Sequence, residues 1–307
     1  MLLAGAIGEG DHDMARTAAV IDVGSNTVRL LVARCSASSL LPTHTERVRL
    51  GLAHEIEEDE AIGDANIAAA AEAVRDLCAR ARGCGAESVE VLVTAPGRQA
   101  QNGAELVEAI QRESGQRVRV LSAEEEARLA FAGAVAGAEP SARLVAVADL
   151  GGASTELAVG RPEAGPAWLR SIDLGALRLT ARFLQAGQPD ADQVDAARVA
   201  VAEAFAGTAP PLPGAALVVG GSARALGRVL GPILGRGELE TAVSMLPLCP
   251  PDAIADRFGI GKRRAPLLLA AALILAEVQR RFAVPLLVVE GGIREGALLA
   301  QDEAAAA

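Results

Sequence analysis

Ile21-Asp22-Val23-Gly24-Ser25-Asn26-Thr27 and Ala148-Asp149-Leu150-Gly151-Gly152-Ala153-Ser154-Thr155-Glu156 are two copies of one design. In each, an apolar run ends in Asp, a turn of small residues follows, and an apolar run resumes, from Val28 to Ala33 and from Leu157 to Val159. The pattern predicts a β-hairpin whose tip is nearly bare backbone, with an acidic residue at its entry. Glycines at such a tip let N–H groups approach an anion, and the aspartate can hold a metal ion or a water. One such turn is an ordinary hairpin corner. Two copies, their aspartates 127 positions apart, predict an internal duplication closing on one phosphate.

The surrounding chain reads as α/β. After the first hairpin (Ala18 to Ala33) come a strand near Arg47 to Leu50 and a helix from about Asn66 to Arg82. A strand at Ser88 to Thr94, a helix at Gly103 to Ser114, a strand at Val118 to Leu121 and a helix from Ala123 to about Val135 follow. The second half repeats the order. Strands are expected at Leu144 to Asp149, Thr155 to Val159 and Trp168 to Asp173, then helices near Gly175 to Phe183 and Ala191 to Ala206. A strand at Ala216 to Val219, a long helix from Pro266 to Arg281, a strand at Leu286 to Glu290 and a helix from Ile293 close the chain. Strands alternating with helices suit a layered α/β fold. Gly, Pro and Ser cluster at Gly137 to Ala142, which marks the expected domain boundary.

Composition narrows the function. The chain has 307 residues, enough for two domains. It is 51% hydrophobic but only 2% aromatic, so Ala, Val and Leu must fill the core, and stacking platforms for single-stranded nucleic acid are excluded. A net charge of −10 argues against a general nucleic-acid surface. It leaves room for a polyphosphate ligand, because screening acts over about 8 Å and a local arginine cluster can dominate. Lys262 is the only lysine, and the remaining bases are arginines, the better fork for phosphate oxygens. Cys35, Cys78, Cys84 and Cys249 have neither C-x-x-C nor zinc-like spacing and read as buried free thiols of a cytoplasmic protein. Met1 to Ile7 is apolar but lacks a basic start, and Asp11-His12-Asp13 reads as solvated leader, with Met14 a second candidate start. The run from Pro266 to Val278 is too short to span a bilayer.

The acidic run Ser122-Ala123-Glu124-Glu125-Glu126-Ala127-Arg128-Leu129 opens a helix. Ser122 and Glu125 form a capping box, and Glu124 sits four residues before Arg128 as an ordinary surface pair. Glu126 is left with no local partner. With Asp22 to Arg29, Thr94 with Arg98 and Asn102, Asp149 to Glu156, Gly220-Gly221-Ser222 and Gly291 to Gly296, six pieces stand in order. Together they resemble the exopolyphosphatase/guanosine-pentaphosphate phosphohydrolase (Ppx/GppA) family of the actin-like ATPase superfamily, over Ala18 to Leu299. The resemblance implies two actin-like (ribonuclease H-like) domains, 15–139 and 140–307, with a ligand cleft between them. The last helix, about 293–302, would pack back on the first.

It also implies chemistry. Glu126 falls on the family's general base, Asp149 on its metal-associated aspartate and Glu156 on a second acid near the attacking water. Arg29, Arg98 and Arg294 match basic residues that point at the phosphate chain. Gly24, Ser25, Asn26, Gly151, Gly152 and Ser154 would donate to phosphate oxygens. Magnesium or another divalent cation, and inorganic polyphosphate or pppGpp as substrate, follow from the resemblance. No nucleic-acid or membrane partner is expected, and a homodimer is left open. Lys262-Arg263-Arg264 is the next basic cluster, a distal phosphate site or a solvated helix end. The chain departs from the family in three places: Ala153 replaces a third turn glycine, Ala123 a glycine before the acidic run, and Thr94-Ala95-Pro96-Gly97 is an unusual lead-in to Arg98. The first raises an apyrase-like rival, which carries Gln where this chain has Glu156. A phosphate- or nucleotide-binding regulator without hydrolysis is a second rival, opposed by intact Glu126, Asp149 and Glu156. Longer relatives carry further C-terminal domains, so a chain ending soon after Gly296 tilts the expectation toward short polyphosphates.

Overall fold

The computed structural model describes residues 16–36, 39–184 and 188–306, with side chains as far as 301. The readings of the leader, of His12 and of a start at Met14 lie outside the described residues. The first half runs β1 (Arg16–Val23), β2 (Thr27–Ser36), β3 (Ser39–Arg49), α1 (Leu52–Asp59), α2 (Asp64–Gly83), β4 (Ser88–Val93), α3 (Ala95–Gln99), α4 (Gly103–Ser114), β5 (Val118–Val120) and α5 (Ala123–Ala138). The second begins with β6 (Val145–Leu150), β7 (Thr155–Arg161), β8 (Gly165–Ile172), α6 (Ala176–Phe183), α7 (Ala191–Ala204) and β9 (Ala215–Val219). It ends with α8 (Gly221–Leu230), β10 (Ile233–Leu234), α9 (Arg236–Met245), α10 (Pro251–Phe258), α11 (Leu268–Phe282), β11 (Leu286–Val288) and α12 (Ile293–Ala306).

The duplication is visible in the sheets. The first has strand order β3-β2-β1-β4-β5, and the second repeats it as β8-β7-β6-β9-β11 with β10 added outside β11. In both, the first three strands form an antiparallel meander, and the next strand adds parallel to the first. Strands β1 and β6 lie inside their sheets with both faces covered, which is why Ala18 to Ile21 and Val145 to Ala148 read as unbroken apolar runs. Helices α2 and α4 cover one face of the first sheet, over Ile21, Val23, Val28 and Leu30. Helices α6 to α9 and α11 bury one face of the second, over Ala146, Ala148, Leu157 and Val218. Aromatics are few but well used: Phe131, Phe205 and Phe282 are fully buried.

The two inner faces correct the expected boundary. Helix α5, from the first half of the sequence, packs through Ala127, Phe131 and Ala134 onto Val145, Val147, Ala158 and Leu217 of the second sheet. Helix α12, from the end of the chain, packs through Ala297 and Leu298 onto Ala18, Val20, Leu31 and Leu92 of the first. The chain therefore crosses between the lobes at 121–122 and returns at 289–292, not at 137–142. Turn-forming composition marked the loop after α5, whereas packing assigns α5 itself to the second lobe. The two exchanged helices meet through glycine. A Cβ on Gly133 would fall on the backbone of Gly292 and Gly296, and one on Gly296 would fall on the Leu129 carbonyl.

Other differences are local. Strand β3 begins at Ser39, well before the expected Arg47. The unusual lead-in Thr94 to Gly97 opens helix α3, with Pro96 in its first turn, where a missing N–H costs nothing. Helices α1, α8, α9 and α10 had no sequence assignment; α8 and α9 carry glycines that obscure helical periodicity. Of the thiols, Cys35 and Cys78 are buried, but Cys84 is exposed and Cys249 half-buried. Among the described residues no helix is long and apolar enough to cross a membrane.

Candidate active site

The two hairpin turns share one cavity of about 110 Å³ between the lobes. Asp22, Gly24 to Asn26, Asp149 and Gly151 to Ser154 line it, with Arg29, Glu126 and Glu156. The turns have the same construction: Gly24 N–H donates to the Thr27 carbonyl and Gly151 N–H to that of Ser154, each at 3.0 Å. Their tips approach closely enough that a Cβ on Gly152 would lie 3.9 Å from the Ser25 Cβ. Ala153 is not among the residues with positive φ, so alanine is accommodated in place of a third glycine. A third wall comes from the start of α8. There Gly220 takes a φ of 106°, and a side chain on it would collide with the Leu150 carbonyl.

Repeated backbone carries opposite charge. Across β1 and β2, Asp22 pairs with Arg29; across β6 and β7, Asp149 pairs with Glu156. Equivalent positions in the two hairpins thus supply a cation on one side of the cavity and a carboxylate on the other. Glu156 is 3% exposed and accepts a hydrogen bond from Ser171 Oγ at 3.0 Å, with Ser154 as a second partner. Glu126 lies in the first turn of α5, also 3% exposed. The capping box below it forms as expected: Glu125 N–H donates to Ser122 Oγ at 3.1 Å, and Ser122 N–H to Glu125 Oε2 at 2.7 Å. Glu126 is thereby free to face the cavity.

Arg98 departs from its expected place. It is absent from the cavity lining. Its guanidinium instead donates to the Glu126 carboxylate and, at 2.5 Å, to the Leu121 carbonyl. Helix α3 turns it toward α5, so its guanidinium is engaged with Glu126. Arg29 and Arg294 do face the cleft. Arg29 Nε donates to Thr27 Oγ1 at 3.0 Å, and Arg294 Nη1 to the Leu30 carbonyl at 3.3 Å.

A larger groove of about 660 Å³ continues from the cavity, sharing Arg29, Gly221 and Arg264 with it. Seven arginines line it (Arg29, Arg47, Arg49, Arg224, Arg228, Arg264 and Arg294) against three glutamates, Glu46, Glu290 and Glu295. Arg264 Nη1 donates to the buried Ser222 Oγ at 3.1 Å. Burial, followed by the charges of Arg29, Arg47, Arg224 and Arg49, pushes the Arg264 guanidinium down to about 10. Burial and neighbouring arginines lower Arg224 as well. Crowded cations with too few carboxylates suit an anion. Arg47, Arg49, Arg224 and Arg228 escaped the sequence reading. The period-two spacing of Arg47 and Arg49, which aims both at one sheet face, was the available signal. Of the Lys262-Arg263-Arg264 cluster, only Arg264 lines either cavity.

The Ppx/GppA phosphatase family model matches residues 31–304. The chain belongs to this family. An uncharacterised protein of Streptomyces coelicolor is 31% identical over 302 residues, 92% of this chain and 90% of its own length. Exopolyphosphatase 2 of Mycobacterium tuberculosis is 31% identical over 196 residues, 60% of each chain. Among solved structures, a Ppx/GppA family member from Aquifex aeolicus superposes with a TM-score of 0.82 at 23% identity, covering 95% of this chain and 99% of its own. An exopolyphosphatase from Cytophaga hutchinsonii gives 0.80 at 19% identity, covering 94% and 98%. These structures bear out the two-lobed α/β fold.

In this Ppx/GppA chain four carboxylates crowd one site. Burial, and then the charge of Glu156, raises Glu126 against Arg98; burial, and then the charge of Asp149, raises Glu156 against hydrogen bonds from Ser154 and Ser171. Burial likewise raises Asp22, against Arg29 and Arg294. Among the described residues no three Asp, Glu, His or Cys side chains form a set that could hold a metal ion by themselves. Asp22 Oδ1, however, is buried without a hydrogen-bond partner in the cavity it shares with Asp149. That donor set fits a cation taking one or two carboxylates and completing its shell with phosphate oxygens and water, as magnesium does.

Protonation gives this a test. Burial pushes the Asp149 carboxyl from 3.8 up to about 6, with Arg29 opposing and Asp22 adding to the rise. A carboxyl raised on folding contributes stability that is full below its unfolded pKa and lost as pH rises through its folded one. The metal-free parent should therefore fall behind Asp149→Asn in Tm as pH climbs through about 6. Magnesium alone should raise the parent's Tm increasingly over the same window, and Asp149→Asn should lose that response. A magnesium shift that is the same in both proteins would remove Asp149 from the cation site.

Proposed function

We propose that this phosphatase is an exopolyphosphatase, releasing terminal orthophosphate from inorganic polyphosphate. The observation that carries the reading is the continuity of the small two-turn cavity with the arginine groove. The cavity suits one phosphoryl group, and the groove offers cations to the phosphates behind it. Among the described residues no aromatic ring lines the groove to stack a guanine. That favours a phosphate chain over pppGpp.

Backbone N–H groups of the turns would hold the terminal phosphate, with Arg29 beside its oxygens. Glu126, held by Arg98, would take the proton from water attacking in line, and Glu156 would orient that water. Phosphoryl transfer asks the protein mainly for positioning and electrostatics, which this set supplies. Asp149 and Asp22 would hold a divalent cation, which when bound neutralises charge on phosphate oxygens. Glu156, where the apyrase-like rival has Gln, opposes that alternative. Four free cysteines suit a reducing cytoplasm.

Phosphate release from polyphosphates of several lengths, pppGpp and ATP, assayed in parallel with magnesium, tests the reading. Polyphosphate should be the best substrate; faster release from pppGpp would overturn the preference. Arg264→Ala should raise KM roughly tenfold or more, because a charge-assisted bond is worth about 1.5–3 kcal/mol. The rise should be larger on longer chains. Arg264→Lys should recover part of the loss, since a point charge replaces a planar fork. Unchanged KM for the alanine variant at all lengths would take the chain out of this groove.

A further inference from the structure

Outside the lining of both the cavity and the groove lies a polar cluster that the chemistry does not use, buried at Arg178 and Glu57 and exposed at Asp173 and Arg182. Arg178 of α6 is 4% exposed, and its Nε donates to the Glu57 carboxylate of α1. Its Nη1 donates to the carboxylate of Asp173 and, at 3.2 Å, to that residue's carbonyl. Its Nη2 donates to Gln99 Oε1 of α3 at 3.0 Å. Gln99 Nε2 closes the ring on Asp173 Oδ1 at 2.8 Å, and Arg182 Nε reaches the second Glu57 oxygen at 2.8 Å. Glu57 and Gln99 belong to the first lobe; Asp173, Arg178 and Arg182 belong to the second. The cluster crosses the seam.

Both helices it joins also grip the catalytic turns. Ala53 N–H, at the start of α1, donates to the Ser25 carbonyl at 2.8 Å. At the start of α6, Leu177 and Arg178 N–H groups donate to the Gly152 carbonyl at 2.9 and 3.0 Å. On α3, Gln99 follows directly after Arg98, which holds Glu126. Each lobe's turn is thus tied to a helix, and the helices are tied to each other. A buried ion cluster contributes little net stability, because desolvation offsets its attraction. Breaking one partner is costly, and the geometry it enforces is specific. Such a cluster is suited to fixing a relative setting of two bodies.

We propose that Arg178, Glu57 and Gln99 are positioning residues that lock the lobes in the setting where both turns and Glu126 face one phosphate. The proposal rests on reading the shared cavity as the hydrolytic site. Arg178→Gln and Glu57→Gln should each widen the interlobe distance, measured between spin labels on exposed Cys84 and on a cysteine placed in α9, the other thiols being replaced. Each should lower kcat on tripolyphosphate about tenfold or more while changing KM much less. The double variant should be no worse than either single one. Arg178→Lys should recover part of kcat, keeping the charge but not the three-way fork. A lower Tm with unchanged distance and kcat would show a merely structural cluster and overturn the proposal, as would full additivity of the two substitutions. If the parent does not cleave tripolyphosphate, the hydrolytic reading fails by itself, and the distance measurement still decides whether the cluster sets the lobes.

Discussion

Glu126→Gln should lower turnover about 10²- to 10⁴-fold while polyphosphate still binds, the size expected for loss of a general base. Glu126 is the one glutamate of the acidic run that lines the cavity: Glu125 is committed to the cap, and Glu124 lies exposed on the helix surface. Glutamine keeps the shape and can still accept from Arg98, so the loss should fall on kcat and not on folding. Glu125→Gln should cost only a fraction of the cap's roughly 0.5–2 kcal/mol and leave the chemistry nearly intact. pH adds a second reading. A base raised by burial and by Glu156 is protonated at low pH, so kcat should climb with pH and level off once Glu126 ionises. Arg98→Gln removes the cation that opposes the rise and should shift this limb to higher pH. Single-turnover phosphate release across pH decides both. Near-parental activity in Glu126→Gln, or a dead Glu125→Gln, would place the base elsewhere.

Gly133→Val should be strongly destabilising although it lies outside the cleft. Its side chain would project from α5 onto the backbone of Gly292 and Gly296, which no rotamer change can move aside. Helices α5 and α12 would have to separate, and each is the inner cover of one sheet. Overpacking of this kind costs about 3 kcal/mol or more, a Tm lower by roughly 6–12 °C. Gly237→Ala is the contrast. An added Cβ there meets nothing within 4 Å in α9, so the exchange should stabilise by about 0.5–1 kcal/mol. Thermal unfolding of both variants against the parent is the measurement. A Gly133→Val protein as stable as the parent would mean that the glycine contact does not hold the lobes together.

The duplicated turns were legible because a hairpin tip is local. Its apolar runs, acidic entry and small residues all lie within a dozen positions, so the sequence alone set the α/β class, both hairpin turns and Glu126 at a helix start. The capping box was legible for the same reason, since Ser122 and Glu125 are three residues apart. What tertiary structure decided are relations between distant segments. Which sheet α5 covers is a matter of Ala127, Phe131 and Ala134 meeting Val145, Val147, Ala158 and Leu217, and the close approach of Gly133 to Gly292 and Gly296 sets it against α12. Arg98 follows a turn and looks like a phosphate ligand, yet helix α3 aims it at Glu126. Arg47, Arg49, Arg224 and Arg228 are ordinary arginines in sequence and line one groove with Arg264 only when β3, α8 and the segment before α11 converge. A chain's local pattern fixes what each segment can be; long-range packing fixes what each charged side chain faces.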